Sequence, residues 1–305
     1  MQTVPETHSF LDKQLAHLLL RICEDAGCSL DATQKTALTE LTQIVSASTR
    51  AGVIAISLED LDATVDTSIL ENLPVIGQPG DYAPLIIEEG HVWLNRYWHY
   101  ETRLTHALQN RLSTLPLTSP RTIAVANQLQ AWFPEANQQQ GVIDWQQRAI
   151  ALAAYSHFMI ISGGPGTGKT TAVTRLLALL IGTMGINPKR ILLAAPTGKA
   201  AMRLQESISH AKQHTGISDT IAHQIPEQAS TLHRLLGYIP GKVGFRHHLH
   251  NTLAADVVIV DEASMIDISL MTHLFEAIPN KAQLVLLGDK DQLASVETGS
   301  IFRDL

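Results

Sequence analysis

The chain has 305 residues, 45% of them apolar, with 29 acidic against 22 basic side chains and a formal net charge of −7. That length accommodates two domains, each with its own core. No apolar run nears the roughly 20 residues that span a bilayer, so no membrane association is expected. The acidic balance excludes a generally basic nucleic-acid coat but leaves room for a local basic groove. The first residues, MQTVPETHSFLDKQL, carry neither a basic patch nor an apolar core of a signal, and Cys23 and Cys28 are the two cysteines; both features fit a reduced, cytoplasmic location.

Residues 10–50 read as two amphipathic helices, the first with Leu11, Leu15, Leu18, Leu19 and Ile22 on one face. A less regular stretch with Pro74, Gly77, Pro79 and Gly80 follows. PLIIEEGHVWLNRYW (84–98) predicts a hairpin turning near Gly90, and HYETRLTHALQNRL predicts a helix ending near Leu112. Residues 113–141, with Pro116, Pro120, Pro134 and the run NQQQG, predict a linker carrying one short helix. From 142 onward the apolar runs FMIIS, RILLAAP, DVVIVDE and QLVLLGD alternate with helical segments. Such runs predict an α/β unit with a parallel sheet covered on both faces. The domain reading is therefore an N-terminal domain over 1–112, mostly helical with a hairpin, the linker over 113–141, and the α/β domain over 142–305.

The strand FMIIS runs into GGPGTGKT, which matches G-x-x-x-x-G-K-[ST] at Gly163, Gly168, Lys169 and Thr170, and a helix-period run follows. Glycines let the loop curl so that its amides point at phosphate oxygens, and the helix start adds positive potential. Gly163, Gly164, Pro165, Gly166, Thr167, Gly168, Lys169, Thr170 and Thr171 are thus expected around the phosphates of a nucleotide. Lys169 can reach the β- and γ-phosphates and the Thr170 hydroxyl can complete a Mg²⁺ shell, so ATP and Mg²⁺ are the expected cofactors.

The strand DVVIVDE ends on Asp261 and Glu262. An acidic pair there can divide the labour: Asp261 holds Mg²⁺, and Glu262 orients and deprotonates the attacking water. Water activation separates a hydrolase from a kinase of this fold. The last apolar strand ends in GDKDQL, where Gln292, a neutral donor and acceptor, is placed to register the γ-phosphate; a surface turn suits the same composition.

GGPGTGKT, AAPTGKAA (194–201), STLHRLLG (230–237), VVIVDEAS (257–264) and GDKDQLASVETGS (288–300) occur in the order of superfamily 1 helicase motifs. Together with IDWQQRAIALA and LNRYWHYETRL, they resemble the alpha-subunit family of exodeoxyribonuclease V, RecD. The likeness covers 142–305 and, more weakly, 84–112. It implies a RecA-like ATPase domain and an ATP-dependent motor with 5′-to-3′ movement on single-stranded DNA. It also implies work at double-stranded DNA ends beside beta and gamma subunits, with the nuclease chemistry in another subunit. Gln146 looks like the glutamine that reads adenine, with Gln147 as the alternative. Thr197, Gly198 and Lys199, and then Thr231, His233 and Arg234, match motifs that face DNA; an ordinary helix face is the other reading of His233 and Arg234. The chain stops just after the third-motif region, so the family's second RecA-like domain is expected to lie outside it.

Two features read as less informative. RHHLH (246–250) has no cysteine or acidic residue nearby and reads as a mobile, mildly basic loop more than a metal site. Trp93, Tyr97, Trp98 and Tyr100 either fill a small core or anchor a partner. A nucleotide-binding assembly subunit that acts mainly by docking is the competing function.

Overall fold

A capping box starts the first helix. Ser9 Oγ accepts from the Asp12 amide at 3.3 Å, and the Asp12 carboxylate accepts from the Ser9 amide at 2.6 Å. Two amides that a helix start leaves unpaired are satisfied this way. Helix α1 (Phe10–Asp25) follows, and α2 (Ala32–Arg50) opens likewise on Asp31 and Gln34. Asp12 is buried and also accepts from Ser46 Oγ at 2.7 Å and from Arg50 Nε and Nη2 at 3.1 and 2.6 Å. These bonds turn Asp12, Ala16, Leu19 and Cys23 inward. The expected leucine face is corrected accordingly: Leu19 is buried and Ile22 packs partly on the core, but Leu11 and Leu18 are exposed.

This computed structural model describes residues 8–61, 65–112, 119–134, 144–164, 166–241, 244–289 and 301–305. It divides into two units with the boundary between Arg103 and Leu104. In the first unit, β1 (Ala55–Ser57), β2 (Ile76–Gly77), β3 (Leu85–Glu88) and β4 (His91–Leu94) form a sheet in the order β1-β4-β3-β2. The pair β3–β4 is the hairpin expected around Gly90. Glu89 and Gly90 have φ of 44° and 75°, the two left-handed residues that a tight hairpin turn needs to match strand twist. Strands β1 and β2 fall in the stretch read as irregular, because three and two residues cannot display alternation. Helix α3 (Asn95–Gln109) begins directly after β4, and so takes in Arg96, Tyr97 and Trp98. Trp93 Nε1 donates to Glu101 at 2.8 Å and Trp98 Nε1 to Glu88 at 2.7 Å, so hairpin and helix share their aromatics as internal packing.

The second unit begins inside α3. Helix α4 (Ser119–Trp132) lies in the stretch read as a linker, yet Val125, Leu129 and Phe133 are buried in the core of this unit. After α5 (Trp145–Ala154) the strands and helices alternate: β5 (Phe158–Ser162), α6 (Lys169–Gly182), β6 (Ile191–Ala195), α7 (Gly198–His214), α8 (Asp219–Ala222), β7 (Ala229–Thr231) and α9 (Leu232–Leu236). Then come β8 (Val257–Val260), α10 (Ile268–Ala277), β9 (Gln283–Gly288) and α11 (Ile301–Asp304). The sheet order is β5-β9-β8-β6-β7, and every pairing is parallel. The four expected strands are present with a fifth, β7, that no apolar run announces. Strands β8 and β9 are buried along their whole length, as an inner parallel strand under helices on both faces must be. No helix among the described residues is long and apolar enough to cross a membrane.

Two buried donors hold the end of the sheet away from the strands' C-termini. Gln283 Nε2 donates to Ala154 O at 3.1 Å, taking up a carbonyl that the end of α5 leaves free. Arg111 is buried and donates to the carbonyls of Phe275, Ile278, Pro279 and Ala282, around the end of α10 and the turn into β9. Burial lowers its pKa to about 10, which still leaves it charged at neutral pH beside the negative end of a helix dipole.

Replacing Arg111 with Met strips those carbonyls of their donor, and we expect a loss of about 3 kcal/mol in urea unfolding of the second unit. An unchanged midpoint would remove Arg111 as a pin. Burial alone would push the Asp12 carboxyl up, but Arg50, Ser46 and Ser9 outweigh it and hold the group well below the usual carboxylate range. A depressed folded pKa contributes stability that is complete above the unfolded value and lost as pH falls through the folded one. The Asp12→Asn variant should therefore be less stable by about 2 kcal/mol at neutral pH. Its deficit should stay constant above about pH 5 and shrink below about pH 4. Unfolding curves at both pH values check the sign.

Candidate nucleotide-binding site

The parallel sheet delivers every strand's C-terminal end to one edge, where open α/β sheets carry their ligands. From β5 the chain enters the glycine-rich loop. Gly168, the N-cap of α6, is left-handed at φ 81°, and a Cβ there would run into Gln146 Nε2. A Cβ on Gly163 would stand 2.8 Å from Thr167 Oγ1. At 168 the left-handed backbone itself calls for glycine, and at 163 a Cβ would have to displace the Thr167 side chain. Thr167 Oγ1 donates to Gly164 O at 2.8 Å, and Lys169 Nζ donates to the carbonyls of Gly163 and Gly164, the second at 3.3 Å. Lys169 thus lies along the loop, and Thr170 and Thr171 occupy the first turn of α6 with their side chains half-buried. Pro165 falls outside the described residues.

Asp144 caps α5 by accepting from the amides of Gln146 and Gln147 at 2.9 and 3.1 Å. That cap aims Gln146 at the loop, where its Nε2 donates to Thr167 O at 3.2 Å. Of the two glutamines left open by the sequence, Gln146 is the one bonded to the phosphate loop.

Asp261 follows β8, and its amide donates to Ala194 O at 2.9 Å, extending the ladder one step past the strand. Its carboxylate accepts from the Glu262 amide at 2.9 Å. Burial raises the Asp261 pKa above the ordinary value, the neighbouring Glu262 charge adds to the rise, and the Glu262 amide and Lys169 oppose it. Glu262 itself is left-handed at φ 53°, a conformation that costs a side-chain-bearing residue about 1–3 kcal/mol and concentrates at functional sites. Just beyond, the buried Ser264 hydroxyl has no hydrogen-bond partner among the described residues. Asp261 lies within electrostatic reach of Lys169, next to Thr170. A carboxylate and a hydroxyl are the oxygen donors that Mg²⁺ takes alongside phosphates and water, so the residues fit that ion.

After β9 the structure brings in a residue that the sequence reading passed over. Asp289 is buried, and its Oδ2 lies 3.9 Å from where a Cβ of Gly164 would stand. The signal for it was the Gly-Asp step ending an apolar strand. Gln292 lies outside the described residues.

The loops after β6 and β7 are neighbours because Ala195 pairs with Thr231. Thr197 Oγ1 accepts from the Ala200 amide at 3.2 Å and Thr231 Oγ1 from the Arg234 amide at 3.3 Å, so both hydroxyls cap helices. Gly198, Lys199, His233 and Arg234 are exposed beside them, and a Cβ on Gly198 would meet open space. The His233 ring packs edge-on against Tyr238 and Phe245, with centroids 6.2 and 5.7 Å away. The run RHHLH is correspondingly not a loose loop: His248 and Asn251 exchange backbone hydrogen bonds of 3.2 and 2.9 Å.

The family model described as an AAA domain matches residues 146–298, a span that opens on Gln146 and takes in all five strands of the parallel sheet. The chain is 41% identical over 227 residues to the RecBCD enzyme subunit RecD of Haemophilus influenzae, covering 73% of this chain and 35% of that protein. It is 35% identical over 312 residues to the RecBCD enzyme subunit RecD of Mycobacterium tuberculosis, covering 97% of this chain and 50% of that protein. It is 34% identical over 211 residues to the ATP-dependent RecD2 DNA helicase of Deinococcus radiodurans, covering 69% and 25%. The chain thus spans half or less of the length of these relatives.

A carboxyl whose folded pKa is raised costs stability above its unfolded pKa and costs nothing once both states are protonated. Asp261→Asn should therefore raise the melting temperature at pH 7.5 by about 2 °C or more, with the gain fading near pH 4. Calorimetry at both pH values tests it; a lower melting temperature at pH 7.5 would mean that Asp261 is a stabilising group.

Proposed function

The chain belongs to the AAA domain family, with RecD proteins among its relatives, and from that premise we propose that it is the nucleotide-hydrolysing part of a DNA helicase subunit. Use of ATP goes with the family. The finer assignments rest on the convergence, at one sheet edge, of Lys169, the half-buried Asp261 and the strained Glu262. A folded chain carries such strain and charge burial more readily where a ligand uses them.

In this reading the amides of 163–170 receive the phosphates, and Lys169 exchanges its loop carbonyls for β- and γ-phosphate oxygens. Gln146 meets the adenine edge with its amide. Thr170 and Asp261 would hold Mg²⁺, whose charge neutralises the phosphates when bound. Glu262 orients a water, takes one of its protons as the oxygen bonds to the γ-phosphorus, and the β–γ bridging oxygen leaves with ADP. Gln292 is assigned the γ-phosphate contact. The loops carrying Thr197, Gly198, Lys199, Thr231, His233 and Arg234 meet single-stranded DNA, so nucleotide state and DNA grip share one edge of one sheet.

The larger setting is likewise a proposal: movement on single-stranded DNA with 5′-to-3′ polarity, action at double-stranded DNA ends, and assembly with the beta and gamma subunits of an exodeoxyribonuclease V. Residues 1–112 are assigned to partner binding. A purely docking role is less favoured, because docking requires neither a left-handed Glu262 nor a lysine laid along a phosphate loop.

Glu262→Gln should bind a fluorescent ATP analogue within a few-fold of the natural chain while turnover falls by about 10² or more. Lys169→Ala should lose turnover with its circular dichroism unchanged. Glu262→Gln with normal turnover would remove Glu262 as the base and with it this mechanism.

A further inference from the structure

Gly288 closes β9, opposite Ser162 of β5, and it is not one of the left-handed glycines. Its backbone therefore gives no reason for glycine at this point. Space does. A Cβ on Gly288 would stand 2.7, 2.9 and 3.0 Å from Cζ, Cε1 and Cε2 of Phe302, so the tip of that ring already fills the place. Phe302 and its neighbour Ile301 are both buried, and they open the short helix α11.

Two parts of the candidate site meet at this contact of ring on backbone. On one side, Gly288 O accepts from the Gly163 amide at 3.1 Å, and the next residue, Asp289, lies beside Gly164. On the other, α11 and β9 both pack on the 3-10 turn Ala263–Met265, which directly follows Glu262. The left-handed conformation of Glu262, at φ 53°, persists only where its surroundings impose it. Within the turn, the Met265 amide donates to Glu262 O at 3.0 Å and the Ile266 amide to Ala263 O at 3.1 Å. Glu262 makes no side-chain cap to the turn, and the Ser264 hydroxyl finds no partner among the described residues. Packing must supply the rest, and α11 is the helix that packs there. The phosphate loop is less dependent on it, because Thr167 and Lys169 tie that loop to its own carbonyls.

We propose that Phe302 is a positioning residue for hydrolysis: its ring, seated on Gly288, sets how closely α11 lies on the 263–265 turn, and the turn holds Glu262 left-handed. The inference rests on the reading of Glu262 as the base, and adds to it a side chain that touches neither nucleotide nor water. Disturbing the ring should therefore lower turnover at saturating ATP and spare nucleotide affinity. A shift of about 1 Å in a reacting group is enough to cost up to about 10² in rate.

The test measures ATP turnover and equilibrium binding of a fluorescent ATP analogue in the purified chain. Gly288→Ala and Phe302→Leu should each lower turnover about ten-fold, with analogue affinity within a few-fold of natural. Leucine ends at Cδ and lacks all three atoms that a Gly288 Cβ would meet. The double variant, Gly288→Ala with Phe302→Leu, should therefore recover turnover to within about three-fold of natural, a coupling that independent sites do not show. Added to Glu262→Gln, Phe302→Leu should cause no further fall, because the ring acts through Glu262. Analogue binding lost in step with turnover would make the ring an ordinary core group and overturn the proposal. So would a double variant no better than the worse single one, or a further ten-fold fall in the Glu262→Gln background. Natural turnover in both single variants, beside an inactive Glu262→Gln, would sink this inference and leave the hydrolytic reading standing. Natural turnover in Glu262→Gln would remove both.

Discussion

Everything at the candidate site depends on a backbone ladder that continues past the ends of the strands. The Gly163 amide donates to Gly288 O at 3.1 Å, and the Asp261 amide to Ala194 O at 2.9 Å. These bonds stitch the starts of three functional loops onto neighbouring strands. The register of β5 on β9, β9 on β8 and β8 on β6 therefore sets the distances among Lys169, Asp261 and Asp289. Parallel strands require crossover helices, and those helices start where the loops end. One constraint thus yields the phosphate loop, the acidic pair and the capped helix starts along a single edge.

The two ends of this sheet are treated differently. At the N-terminal end of β9 Gln283 Nε2 and both Arg111 Nη groups donate to carbonyls of α5 and around α10, while Arg111 Nε has no partner among the described residues. At the other end the chain tolerates a carboxyl pushed up by burial, a left-handed glutamate and an unpartnered serine hydroxyl. Each costs on the order of a kcal/mol or more. The fully buried strands β8 and β9 and the buried face of α6 supply the rigidity against which that strain can be held. Stability is invested at one end and placed at the disposal of chemistry at the other.

Charge follows the same economy of position. In an overall acidic chain the 28 residues from 228 to 255 hold no Asp or Glu, and Phe245 packs between His233 and His273. In the first unit a carboxylate is buried instead: Asp12 accepts from Arg50, from the Ser46 hydroxyl and from the Ser9 amide, which orients α1 without any ligand.

Much of this was legible in the sequence, for identifiable reasons. Four strands showed as apolar runs because buried parallel strands cannot alternate, and the phosphate loop showed because its chemistry demands glycines and a lysine at fixed spacing. The run EEGH announced its hairpin through Gly90, one of the two left-handed residues of the turn, whereas Glu89 gave no such signal. Other features were decided only in three dimensions. Strand β7 has three residues, and exists because β6 offers it a free edge. The inward face of α1 followed an ion pair with Arg50, 38 residues away, which no helical period reports. Arg111 pins carbonyls more than 160 residues later, and Asp289 nears the phosphate loop through a parallel pairing. Local chemistry with a fixed spacing is written along the chain, whereas contacts between distant segments arise only when the sheet brings them together.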